Sequence, residues 1–562
     1  MAPRARSALT LVCLLACGWY VVFVARAAFR IHDGRWVYSL FDDAMISMRY
    51  ARNLADGYGL RWNPGEPAVE GYSNLLWTLV MAGLHLLRLP DRWAALPVAI
   101  TGITILAASI WMAARIADAL VEEPGSRAGV YAAVLTATCY PVVFWTLRGM
   151  EVGLLALFTL LLVRATVDRG MSVSRRYAVA VLATAGLVLT RDDGIVLVTA
   201  VCAAGVFAAD RETRRVVAAS VTALAVSTAA HLLWRRAYYG DWVPNTYYLK
   251  LTGVPLGDRL SRGASTLFGV VTRQAGPILV VAACELWRRF EARTLVLIAP
   301  FAATCAYSLY VGGDAWEFLN FANRYVSPSL PALGVLAGVY LARLDADAVV
   351  PRAGAIALAV MMLAGAAWDA VEKIRLPFFT PTLLVWAVVT TAAAAAVLFG
   401  AFRQPRLPRG AAWMALVFLV ALSEGRPLAQ WVLSNFQMSG NDREETQAGF
   451  AVLESTSPPA SIAVTHAGSG PYFARRRSID LLGKSDRHIA MLPSGGFYPG
   501  HDKMDLPYSF GMRPDVVVTL YETSGDVRIA LERWGYDRLC VSYWIRRDTT
   551  LVDRAALRTW CR

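Results

Sequence analysis

Apolar residues in this chain run in long uninterrupted blocks, not in the short alternations of a soluble core. A run of about 18 or more apolar residues is long enough to cross the hydrocarbon core of a bilayer as a helix. More than a dozen such blocks precede residue 432 or so, and the pattern then stops. The sequence therefore predicts an α-helical polytopic membrane part over 1–432 and a soluble region over 433–562. In that tail, the apolar runs Ala460–Thr465, Ser478–Leu482 and Asp515–Leu520 alternate with helix-like stretches, which predicts a small α/β domain. The N-terminus reads MAPRAR and then stays apolar from Leu9 to Val24. Ala25-Arg26-Ala27 faintly resembles a cleavage site, but the run is long for a signal peptide, so an uncleaved first helix is expected.

Composition agrees with this division. Of 562 residues, 56% are hydrophobic and 17% charged, against roughly 25% charged in soluble proteins. The net charge of +13 sits mostly in the short loops between apolar blocks. There it sets orientation, and nucleic acid is not an expected partner. Arg4 and Arg6 place the N-terminus in the cytoplasm, and segment 29–73 becomes the first outer loop. The basic loops 168–176, 210–215, 286–293 and 402–409 are then cytoplasmic. The turns between them face outward together with the tail, and each carries a carboxylate close to a helix end. Blocks 74–90 and 94–114 do not both fit this alternation. The first is expected to be tilted, re-entrant or interfacial, which leaves about 13 crossings.

Cys540 and Cys561 are the only cysteines of the tail, and a disulfide between them is plausible if the tail lies outside. No cysteine or histidine spacing suggests zinc, and no phosphate-binding loop or dinucleotide fingerprint is present.

The outward turns share one chemistry. Asp42 and Asp43 precede a short helix with apolar positions 45, 48, 51 and 54, and one of the two is expected to cap it. A cap needs one aspartate, so the second invites a chemical role. Arg49 and Arg52 lie on the same helix, within reach of a phosphate. Arg148 and Glu151 share a turn and would also form a plain pair one helical turn apart. Arg191, Asp192 and Asp193 stand at a helix boundary, where one aspartate would cap the helix from Gly194. Asp241, Asn245, Tyr247, Tyr248 and Lys250 crowd one loop, where the aromatics would be an interfacial belt or a sugar platform. Asp314, Glu317 and Arg324 surround a glycine-rich turn. Ionisable residues at membrane depth tend to be functional. Glycosyl transfer needs a base for the acceptor hydroxyl and cations for the departing phosphate, and these turns supply both types. The candidates are Asp42 and Asp43 for catalysis. Arg49, Arg52, Arg148, Arg191, Arg324 and Lys250 are candidates for phosphate. Glu151, Asp193, Asp241, Asn245, Tyr247, Tyr248 and Asp314 are candidates for substrate.

Phe41-Asp42-Asp43, Arg49 to Leu54, Asn63-Pro64-Gly65-Glu66 and Val69-Glu70-Gly71-Tyr72-Ser73 resemble the first outer loop of bacterial GT-C type membrane glycosyltransferases. The nearest set is the mycobacterial terminal β-(1→2) arabinofuranosyltransferases and their wider relatives. Gly149-Met150-Glu151, Thr190 to Gly194, Tyr239-Gly240-Asp241, Pro244 to Tyr248, Gly312-Gly313-Asp314, Ile479 to Gly483 and Asp486 to Ala490 extend the resemblance over most of the chain. Relatives commonly show Arg-Pro-Asp-Gly where this chain has Arg191-Asp192-Asp193-Gly194, so the acidic role falls to Asp193. The resemblance implies an inverting transferase in a bacterial plasma membrane, with an outward-facing C-terminal domain. The first-loop aspartate would be the base. The implied donor is a polyprenyl-phosphate sugar, D-arabinofuranose on decaprenyl phosphate, and the implied acceptor an envelope glycan of arabinogalactan or lipoarabinomannan type. Some members use a divalent cation and others do not. Transfer of mannose or another lipid-linked sugar is an alternative within the fold. A transporter or flippase would place its charges near the midplane, often in repeats, and neither is seen here. A non-catalytic scaffold would not require acids paired with arginines on one face.

Overall fold

A computed structural model describes residues 3–121, 123, 126–207, 210–316, 322–347, 352–375, 388, 390–392, 394–395, 411–425, 427–428, 437–496, 498–518 and 525–561. The 402–409 loop, Glu317 and the 432/433 boundary lie outside the described residues.

The long apolar blocks form helices. Six described helices are long and apolar enough to cross a membrane, or up to seven if a bent pair counts as one span. That pair, Ala128–Thr138 and Tyr140–Leu147, breaks by 53° at Cys139, where Pro141 begins the second half. Shorter apolar helices include Leu75–His85, Val152–Val167 and Gly194–Phe207. Leu75–His85 has 11 residues, which at ~1.5 Å per residue spans roughly half of a ~30 Å hydrocarbon core. It is too short to cross alone.

The C-terminal region carries a five-stranded sheet. In spatial order its strands are Arg477–Asp480, Ser461–Val464, Val516–Val518, Tyr543–Arg546 and Tyr536–Arg538. The first three pair in parallel, and the last two add antiparallel. Ser461–Val464 is buried along its whole length, as a central parallel strand covered on both faces should be. The three apolar runs read from the sequence coincide with the three parallel strands. Cys540 and Cys561 form a disulfide with Cα atoms 6.0 Å apart.

The helix Asp42–Ala55 joins the two parts. It was expected at an interface with one apolar face, but it is buried nearly all round. Its inner face packs into the apolar core of the helical part, through Met45 and Met48. Ile46 and Tyr50 pack instead into a second core shared with strand residues Ile462 and Val516. Its N-cap is Phe41, which makes no side-chain cap bond, so neither aspartate caps it. Both carboxylates are used across the fold instead.

Candidate active site

The outward turns of the sequence converge on one cavity of about 490 Å³, at the junction of the helical part and the C-terminal region. Its volume is in the range of small-molecule sites, ~300–1,000 Å³. Its lining is partly ionic and also includes Val188, Ile195, Val196 and Leu232.

Three arginines reach this cavity, and each is clasped by two carboxylates. Arg191 donates from Nη1 to Glu151 Oε1 at 3.0 Å and also pairs with Asp193. Arg235 donates from Nε to Glu70 Oε2 at 2.6 Å and from Nη2 to Asp192 Oδ2 at 2.9 Å. Arg324 donates from Nε and Nη2 to Asp314 at 2.7 Å each, and from Nη1 to Asp43 Oδ2 at 2.7 Å. A buried ion costs several kcal/mol unless it is paired and hydrogen-bonded, and this explains why the acids come in pairs around each guanidinium. It also means that these arginines carry no surplus positive charge.

Asp43 is an acid of this ionic lining. Trp316 Nε1 donates to the same Oδ2 at 3.3 Å, while Oδ1 has no hydrogen-bond partner among the described residues. Burial works against its charge, but Arg324 and Lys484 outweigh it and hold the carboxyl well below the usual range. Asp42 turns the other way. Its Oδ1 accepts from the Ser469 backbone N–H at 2.7 Å, and it does not line the cavity. Burial, with Glu445 nearby, raises its carboxyl above the usual value. Adjacent in sequence, the two aspartates sit in opposite environments because successive helical residues point about 100° apart.

Other predicted residues divide in the same way. Glu151, Asp193, Arg191, Arg324, Lys250 and Tyr247 line the cavity. Asp314 stands behind Arg324 and fixes its orientation. Arg49, Arg52 and Arg148 do not reach it. Arg49 is 2% exposed and donates to the carbonyls of Trp62 (2.7 Å) and Arg476 (2.9 Å), to Asn63 Oδ1 (2.7 Å) and to Pro471 O. Burial without a carboxylate pushes its guanidinium down to about 9. Arg52 lies over the Tyr472 ring, 4.4 Å from the centroid, and donates to Tyr472 O. Arg148 pairs with Asp442 and not with Glu151, so the expected pair one turn apart is not made. All three join the helical part to the C-terminal region, a role that sequence spacing cannot reveal.

Asp241 pairs with Arg487 and accepts from Tyr248 Oη at 3.3 Å, away from the cavity. Asn245 donates to the carbonyls of Gly483, Lys484 and Asp486 at 2.9, 3.0 and 3.2 Å, so it holds a loop and does not face the cavity. Aspartates 192 and 193 bind arginines and cap nothing.

Several cavity residues went unnoticed in the sequence. Arg235 follows the apolar middle of the helix Arg211–Tyr239, beside His231 and Arg236, which is a recognisable signal. Glu70, which holds Arg235 without itself lining the cavity, lies within the resembling Val69 to Ser73 stretch. Lys484 and His501 carried no signal, because only folding brings the C-terminal region to the cavity.

A divalent cation fits this donor set poorly. Among the described residues no three His, Cys, Asp or Glu side chains converge to hold one, since the acids are distributed in pairs over three arginines.

Residues 435–559 match the model of a domain of unknown function, DUF8728. A comparison with curated proteins finds no match. In structure the chain is similar to ArnT from Cupriavidus metallidurans. The apo crystal structure gives a TM-score of 0.58 at 16% identity, over 94% of this chain and 95% of that one. The structure of ArnT bound to undecaprenyl phosphate gives 0.59 at 14% identity, over 98% and 100%. The arabinosyltransferase EmbB from Mycobacterium smegmatis reaches only 0.45 at 13% identity, over 82% and 45%. The chain has the GT-C fold of membrane glycosyltransferases.

Proposed function

We propose that this protein is an inverting glycosyltransferase that takes a sugar from a polyprenyl-phosphate donor in the membrane, with Asp43 as general base. The observation that carries the reading is Asp43 itself. It is a carboxylate held ionised, with one oxygen fixed by Arg324 and the other without a partner among the described residues, in a cavity lined by both ionic and apolar side chains. A lipid-linked sugar phosphate likewise combines charged and apolar parts. The ArnT structure with undecaprenyl phosphate supports the choice of ligand class.

In the reaction, an acceptor hydroxyl gives its proton to Asp43 as its oxygen attacks the anomeric carbon. The new C–O bond forms opposite the phosphate, and the bond from the anomeric carbon to the phosphate oxygen breaks. Its electron pair leaves with polyprenyl phosphate, and the configuration inverts. Lys250 is the cation for that leaving group on the helical side. It lines the cavity, has no carboxylate ion pair among the described residues, and its Nζ lies 3.4 Å from the Tyr325 hydroxyl. Donors aimed at developing charge are worth most in such a low-dielectric site. Arg324 fixes the base, and Tyr247 offers a ring face to a sugar.

D-Arabinofuranose on decaprenyl phosphate is the proposed donor, with an arabinogalactan- or lipoarabinomannan-type envelope glycan as acceptor. This choice rests on the sequence motifs of the first outer loop. The proposed site is the outer face of a bacterial plasma membrane, on the resemblance, with the C-terminal α/β region outside, on the loop charges. Purified protein incubated with a panel of polyprenyl-phosphate sugars should transfer one of them with inversion, read by NMR of the product. Transfer of none, with protein that remains folded, would reject the reading.

A further inference from the structure

The phosphate site needs positive charge that is not already neutralised. Arg191, Arg235 and Arg324 do not offer it, since each is held by two acids. Two lysines line the cavity without an acid in ion-pair contact among the described residues, Lys250 and Lys484. Lys484 comes from the C-terminal region and is 8% exposed. Its hydrogen-bond partner is a neutral one, His501 Nε2 at 3.4 Å. Burial beside Lys484 holds that imidazole down at about 3, so it brings no second charge. Asp480, Asp43 and Asp42 act on this ammonium at longer range, but among the described residues no carboxylate makes an ion pair with it, so the contact position is open to a ligand anion.

The loop around Lys484 is built to hold the side chain there. Asp480 accepts from the backbone N–H groups of Leu482 and Gly483 at 3.1 Å each and of Ser485 at 2.7 Å. From the other side, Asn245 of the helical part binds three carbonyls of the same loop. Gly483 takes φ +77°, where a side chain is strained, and a Cβ there would lie 2.7 Å from Ile489 Cγ2. The lysine is thus fixed from both parts of the protein at once.

We infer that Lys484 is the second phosphate-binding cation, so that the donor headgroup is bound between the helical part (Lys250) and the C-terminal region (Lys484). The C-terminal region is then part of the donor site and not only a cover or an acceptor platform. This inference rests on the polyprenyl-phosphate reading above.

Binding of decaprenyl phosphate to the full chain in phosphatidylcholine nanodiscs tests it, since that bilayer adds no anionic headgroup. A charge-assisted hydrogen bond contributes about 1.5–3 kcal/mol, so Lys484→Met should raise Kd roughly 10- to 100-fold. Lys250→Met should do the same, and Lys484→Arg should stay within about threefold of the parent. Inorganic phosphate, used as competitor, should lose potency with Lys484→Met in parallel. Lys484→Gln gives a second truncation if the Met variant elutes aggregated. A Kd unchanged by either truncation, beside a raised Kd for Lys250→Met, would overturn the inference and leave the transferase reading intact. No binding by the parent protein would overturn both.

Discussion

The helix Asp42–Ala55 has two sides that solve the burial of charge in opposite ways. On the cavity side, Asp43 is ionised, held by one arginine, and keeps an oxygen without a partner among the described residues. On the side facing the C-terminal region, Asp42 is pushed toward its neutral form, and Arg49 spends its donors on carbonyls and amides. The first arrangement leaves reactivity available, and the second converts every polar group into a joint. Charge at a membrane surface is therefore a poor guide to function until its partners are known. Arg49, Arg52 and Arg148 looked as phosphate-ready in the sequence as Arg191 and Arg324.

Substitutions on the two sides should separate these roles. The largest expected effect is on the cavity side. Asp43→Asn should lower transfer by roughly 10³-fold or more, in the upper part of the range for loss of a general base, in protein that still folds but melts below the parent at neutral pH, because the stabilising carboxylate is gone. Arg49→Met comes next and should act on stability. It strips donors from several buried carbonyls at about 1–3 kcal/mol for each group left unsatisfied. Its readout is earlier proteolysis of the C-terminal region in a time course. Cys540→Ser with Cys561→Ser opens a loop of 21 residues and should cost about 3 kcal/mol, read by the melting temperature. Transfer at temperatures below that melting should change little.

The smallest effect is expected for Asp42→Asn, with transfer retained within about tenfold. Its sign with pH is informative. The folded Asp42 carboxyl titrates above its unfolded value near 3.9. The stability it contributes is therefore full below that value and is lost as pH rises through the folded pKa. The Asn variant removes that loss, so at neutral pH it should melt no lower than the parent. For Asp43 the sign reverses: its contribution is present above about 3.9 and is lost as pH falls toward its depressed folded value. Melting curves across pH 3–7 for the two Asn variants should diverge in these directions, and parallel curves would break the comparison.

Much of this was legible in the chain. The helical membrane part, the three parallel strands and the shared cavity of the outward turns follow from apolar run lengths and from carboxylates at helix ends. Which of Asp42 and Asp43 meets the cavity was not legible, because side-chain direction depends on what packs against the helix. The expected cap at position 42 or 43 failed for the same reason: Ser469 and Arg324, hundreds of residues away, compete for the carboxylates and win. Asn245 looked like a sugar ligand because its loop is aromatic and polar, yet its amide is saturated by a loop from the C-terminal region. Lys484 sits between the two resembling stretches of the tail, Ile479 to Gly483 and Asp486 to Ala490, and long-range pairing alone gives it a place at the cavity.

The most direct test of the central claim is an experimental structure of the Asp43→Asn variant with a polyprenyl-phosphate sugar and an acceptor analogue bound. The account predicts the acceptor hydroxyl about 2.6–3.2 Å from the position 43 side chain, the phosphate against Lys250, and the lipid along Val188, Ile195 and Leu232. A sugar whose anomeric carbon lies beside Asp42, or anywhere beyond the reach of position 43, would contradict it.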